Sequence, residues 1–96
     1  MYLVGWKLVA EKVECSGAEV EAAPLTHLDL GSCAEGCKDK SSMFIFGTND
    51  YGVTRCGEKG CSCICELAAS LDGTCQRTGH NGYRLYRYEK GMIEKC

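Results

Sequence analysis

Cys61-Ser62-Cys63-Ile64-Cys65 places three cysteines at alternate positions, and Ser32-Cys33-Ala34-Glu35-Gly36-Cys37 places two more four residues apart. Residues two apart on a strand share a face, as do residues four apart on a helix. Laid one on the other, the two stretches bring five sulfurs together. Two helix-to-strand disulfides are the natural outcome. The third strand cysteine then needs another partner, and Cys15, Cys56 and Cys75 remain for it. Cys56 is close to Cys61 across an expected hairpin. A Cys15–Cys75 bridge would close a loop of about 60 residues and contribute about 4 kcal/mol by chain-entropy reasoning. Eight internal cysteines allow on the order of a hundred pairings, so spacing alone leaves the connectivity open.

Nine cysteines in 96 residues is the composition of a disulfide-stapled extracellular domain. A chain this short buries only about two-thirds of its unfolded surface, so covalent staples matter. Zinc is disfavoured, because its sites come as two knuckles and Cys33-x3-Cys37 is a single one. Alternating strand thiols also point in parallel rather than converging on a tetrahedron. Redox catalysis lacks a two-residue-spaced cysteine pair opening a helix. No metal and no cofactor are expected. Cys96 is the odd thiol, either free or available to join two chains.

Outward from the cysteines, the chain reads as one α+β domain over residues 1–96. Tyr2 to Val13 alternates, with Tyr2, Val4, Trp6, Leu8 and Ala10 on one face, and is expected to be a long half-buried strand. Ala18 to Ala22 follows Ser16-Gly17 as a short second strand. Ser32-Cys33-Ala34-Glu35 fits a capping box, which starts a two-turn helix at about Cys33 and runs it to Asp39. Ser42 to Phe46 is the candidate central strand. Val53 to Cys56 and Cys61 to Leu67 flank Gly57-Glu58-Lys59-Gly60 as a hairpin. Ala68 to Asn81 reads as irregular, punctuated by Gly73, Gly79 and Gly82, and Tyr83 to Glu89 as the last strand. The expected architecture is an antiparallel sheet of about five strands with one short helix packed across it.

The net charge of −2, with both signs interspersed, argues against a nucleic-acid partner. No apolar run approaches the roughly 20 residues that span a bilayer, so no membrane insertion is expected. Met1-Tyr2-Leu3-Val4 lacks the basic start of a signal peptide, and a secreted chain would be in its mature form. No Asn-x-Ser/Thr sequon occurs.

Several of these segments resemble the PAN/apple family. Gly5-Trp6-Lys7 resembles the family's opening strand, and Ser32 to Cys37 its Cys-x3-Cys helix. Ser42-Met43-Phe44-Ile45-Phe46 is similar to its aromatic central strand, and Gly82-Tyr83-Arg84-Leu85-Tyr86 to its closing strand. The likeness spans about Gly5 to Glu89. It implies a five-stranded sheet crossed by a helix, and a role in binding proteins or carbohydrates without catalysis. In the family, the second helix cysteine usually pairs with a thiol on the strand just after the helix. Here that stretch is Ser41-Ser42-Met43, and the Cys61/Cys63/Cys65 cluster is expected to supply the partner instead.

No catalytic set emerges. His27 and His80 stand in separate segments, read as surface loops, without Ser or Asp at a motif spacing, and nothing resembles a nucleophile elbow or a phosphate loop. The chain is expected not to be an enzyme. The candidate ligand-binding residues are Asn49, Asp50, Tyr51, Arg55, His80, Asn81 and Tyr83, in two glycine-rich loops that offer aromatic faces with amide, carboxylate and guanidinium groups. On the closing strand, Tyr86 and Tyr88 share a face with Arg84. Tyrosine and arginine are favoured at recognition surfaces, but tyrosines that roof the core explain the pattern more simply. The leading expectation is a secreted, non-catalytic binding or adhesion module for a glycan or protein. A structural subunit of an extracellular assembly, a homo-oligomer built through the apolar first strand and Cys96, is the alternative. A secreted toxin or inhibitor is a third.

Overall fold

The structure, a computed structural model, describes residues 4–21, 30–47 and 62–90. In chain order these form β1 (Val4–Cys15), β2 (Val20–Glu21), α1 (Leu30–Cys37), β3 (Met43–Gly47), β4 (Ser62–Cys65) and β5 (Arg77–Lys90). The five strands make one sheet in the order β1-β5-β3-β4-β2, with every pairing antiparallel. The domain is thus α+β, with Ser42 to Phe46 at the sheet's centre as the apolar run foretold.

Alternation along the three inner strands builds a core on each face. Phe44, Cys63, Cys65 and Tyr86 point to the helix side and pack with Cys33, Ala34 and Cys37 of α1. Met43, Ile45, Ile64, Tyr83 and Leu85 point the other way and pack with Cys15, Ala69 and Cys75. On the helix side Phe44 stacks on Tyr86 with centroids 5.2 Å apart and meets Tyr88 at 5.1 Å. The Tyr88 hydroxyl donates to the carbonyl of Ala34, tying the sheet to α1. Burial, then the nearby carboxylates of Glu35 and Asp39, raise the Tyr88 pKa and keep that donor protonated. Tyr86 and Tyr88 therefore roof the core.

Three disulfides complete the frame. Cys33 bridges Cys63 at 2.08 Å and Cys37 bridges Cys65 at 2.00 Å, the two helix-to-strand staples expected from the shared faces. Cys15 bridges Cys75 at 2.03 Å on the opposite face. Cys56, Cys61 and Cys96 lie outside the described residues, as do the hairpin strand at Val53 to Cys56, His27 and Asp29.

Four expectations need correction. First, α1 begins at Leu30, so Ser32 lies inside it and does not cap it. Glu35 forms an ion pair with Lys38 at 2.6 Å. Second, β5 starts at Arg77, six residues before Tyr83. The long β1 supplies ladder partners for Arg77, Thr78 and Gly79, and this overrides their turn character.

Third, β1 does not keep one face. Leu8 pairs with Tyr86 but Ala10 pairs with Leu85, so Val9 is a bulge. Directly opposed residues share a face, which puts Trp6 and Leu8 on the helix side and Ala10 on the other. Trp6 and Leu8 are 39% and 43% exposed, while α1 packs over β3 and β4. Val9, Val13 and Cys15 are the β1 side chains that pack on the second core. Fourth, His80 is not in a surface loop but buried within β5.

Candidate functional site

The candidate ligand residues fall into two groups. Asn49, Asp50, Tyr51 and Arg55 lie outside the described residues, and His80, Asn81 and Tyr83 lie in β5. Glu11 pairs with Arg84 and Val13 with Gly79, so β5 spends His80 to Tyr83 opposite the single residue Lys12. Lys12 itself has φ 64°, the left-handed turn that a bulged strand needs at its kink. The His80 ring stacks on Tyr83 with centroids 3.6 Å apart and planes within 5°. His80 Nδ1 accepts the backbone N–H of Gly82 at 3.3 Å, which holds the bulge in shape.

Both rings are largely internal: His80 is 8% and Tyr83 5% exposed. Tyr83 belongs to the second core, so its ring supports the bulge more than it presents a face to solvent. Gly47, where the chain leaves β3, pairs with Tyr83 on one side and with Ser62, where the chain enters β4, on the other. Gly47 therefore stands between Ser62 and the His80–Tyr83 bulge at this end of the sheet.

A second polar cluster was not anticipated from the sequence. Glu66 follows Cys65 directly and is fully buried, with Oε2 accepting the Cys15 N–H at 2.7 Å. Val20 pairs with Cys65, so one further step of the same register sets Glu19 opposite Glu66. Glu14 adjoins Cys15 at the end of β1. Carboxylate oxygens of Glu14, Glu19 and Glu66 lie within 4.8 Å of one another. The turn carrying the first two is fixed by the Cys15–Cys75 bridge and by Ser16 and Ala68, whose N–H groups donate to Gln76 and Ala18 at 2.6 and 3.0 Å. The only local sign is a glutamate at the end of a buried strand. Positions 14, 19 and 66 carry no motif spacing that would join them.

Burial, then hydrogen bonding to Glu19, pushes the Glu66 pKa up to about 8, against the lowering effect of the Cys15 N–H and with further help from the charges of Glu19 and Glu14. Burial and Glu19 also raise Glu14. A raised carboxyl binds more protons folded than unfolded. Its favourable contribution is present below the ordinary value of 4.5 and is lost as pH rises through about 8. Thermal melts in metal-free buffer should therefore show stability falling over this window. Glu66→Gln should flatten that slope relative to the parent, since the neutral amide can still accept from Cys15. Equal slopes for the two proteins would mean that Glu66 ionises normally.

No helix among the described residues is long and apolar enough to cross a membrane. Three disulfides fit an oxidising, extracellular compartment. Comparison with protein-family models, with curated proteins and with solved structures finds no match.

Proposed function

We propose that this chain is a non-catalytic extracellular module that binds carbohydrate or protein at the sheet end formed by Gly47, Ser62 and the His80–Tyr83 bulge. The pairing of Gly47 with both Ser62 and Tyr83 carries the proposal, because the two described residues that flank positions 48–61 in the chain stand at the bulge end of the sheet. A stapled sheet under such a segment is a rigid scaffold presenting variable chemistry, the usual division of labour in recognition domains. The PAN/apple resemblance of the opening strand, helix, central strand and closing strand points the same way.

The test uses the oxidised domain on a glycan array and in a pull-down from extracellular extracts. Tyr51→Ala with Arg55→Ala should reduce binding at least about tenfold, the loss expected when two anchor side chains are truncated. Tyr83→Phe keeps the ring that the core needs and is the variant to use at that position. Binding unchanged by the Tyr51/Arg55 pair places the site elsewhere.

Exposed Trp6 and Leu8 support a second reading, a structural subunit that self-associates through β1. Among the described residues β1 is an edge strand of the sheet, the position that invites a further strand. Light scattering with and without reductant separates the two readings: a concentration-dependent dimer favours assembly, and a monomer favours the binding module.

A further inference from the structure

We infer that Glu14, Glu19 and Glu66 form a binding site for a calcium-sized divalent cation. Two observations carry this. The three carboxylates converge within 4.8 Å, and none of the ion pairs among the described residues involves any of them. Independently, Glu66 is fully buried, its Oε2 accepts the Cys15 N–H, and among the described residues its Oε1 finds no hydrogen-bond donor. A buried carboxylate oxygen beside two other carboxylates can be satisfied by a shared proton or by a cation.

Coordination flexibility selects the ion: calcium accepts irregular oxygen shells at about 2.3–2.6 Å, whereas magnesium demands a near-ideal octahedron at about 2.0–2.1 Å. Magnesium also gives up its waters reluctantly, and Glu66 offers its free oxygen only in a buried setting. Glu19 is exposed, so water can complete the coordination from that side. Hard oxygen donors exclude the thiolate-preferring metals. The site sits where the end of β1, the approach to β2 and the exit of β4 meet, beside the Cys15–Cys75 bridge. An ion there would tie together three segments of the chain.

Binding requires the carboxyls to be ionised. The experiment is calorimetric titration of the oxidised chain with CaCl2 at about pH 7.5, paired with thermal melts. A Kd of about 10⁻⁴–10⁻³ M, the range of extracellular calcium modules, is expected, with a smaller response to MgCl2. At about 10 mM CaCl2 the melting temperature should rise by about 5–15 °C. Glu66→Gln should abolish the response but removes a buried group, so Glu19→Gln, at an exposed position, is the decisive variant. It should weaken calcium at least about tenfold while melting normally without the ion. No calcium response in the parent, or an equal response in Glu19→Gln, overturns the assignment and leaves the cluster holding a shared proton.

Discussion

Reduced with dithiothreitol, the chain should lose both α1 and its cooperative melting transition. The helix has eight residues and contains Gly36, far below the length at which an isolated helix persists in water. It stays on the sheet because Cys33 and Cys37, one turn apart, are fixed to Cys63 and Cys65, with separations of 30 and 28 residues. Cys15–Cys75 spans 60. Each bridge contributes about 3–4 kcal/mol by loop closure, against about 5–15 kcal/mol for the whole stability of a typical domain. Circular dichroism with and without reductant reads the outcome. A melting curve that reductant leaves unmoved would mean that packing on the two sheet faces suffices by itself.

Gly47→Ala should lower the melting temperature by about 10 °C or more, the equivalent of about 2–3 kcal/mol. A methyl at Gly47 would stand 2.1 Å from the carbonyl oxygen of Gly82 and 3.1 Å from Tyr83 Cα. Both are backbone atoms, and Gly47 is paired on each side, so neither strand can step aside without breaking its ladder. Gly79→Ala is the control, since nothing lies within 4 Å of its added methyl, and it should melt within a few degrees of the parent. Similar losses in both variants would attribute the effect to glycine content rather than to the contact between β3 and the β5 bulge. Because that contact also underlies the proposed binding end, Gly47→Ala should weaken ligand binding even at temperatures where the chain stays folded.

What the sequence disclosed, and what it hid, follows from the range of the forces involved. The helix-to-strand staples were legible because two local periodicities, four on the helix and two on the strand, each fix a face. Met43 to Gly47 was legible because an unbroken apolar run bounded by glycine belongs at the centre of a sheet. The start of β5 was hidden. Thr78-Gly79-His80-Asn81-Gly82 has turn chemistry, and only pairing with β1, more than 60 residues earlier, makes part of it strand. The Val9 bulge was hidden likewise, since no residue marks it and its effect, moving Ala10 away from the Trp6/Leu8 face, appears only in the register. Ser32-x-x-Glu35 has the letters of a capping box but occurs one turn inside the helix. The stacking of His80 on Tyr83 beside Gly47 was hidden too, since it depends on β5 pairing with β3 and bulging opposite Lys12. Glu14, Glu19 and Glu66 were illegible together, because they meet only after β2 pairs with β4 and Cys15 with Cys75.

The frame itself is tested most directly by peptide mapping of the unreduced chain, alkylated before digestion, with fragmentation between Cys61, Cys63 and Cys65. The expected map joins Cys15 to Cys75, Cys33 to Cys63 and Cys37 to Cys65. Alkylation of Cys33 or Cys37 without reductant, or a crossed Cys33–Cys65 and Cys37–Cys63 pairing that reverses the helix on the sheet, would contradict it.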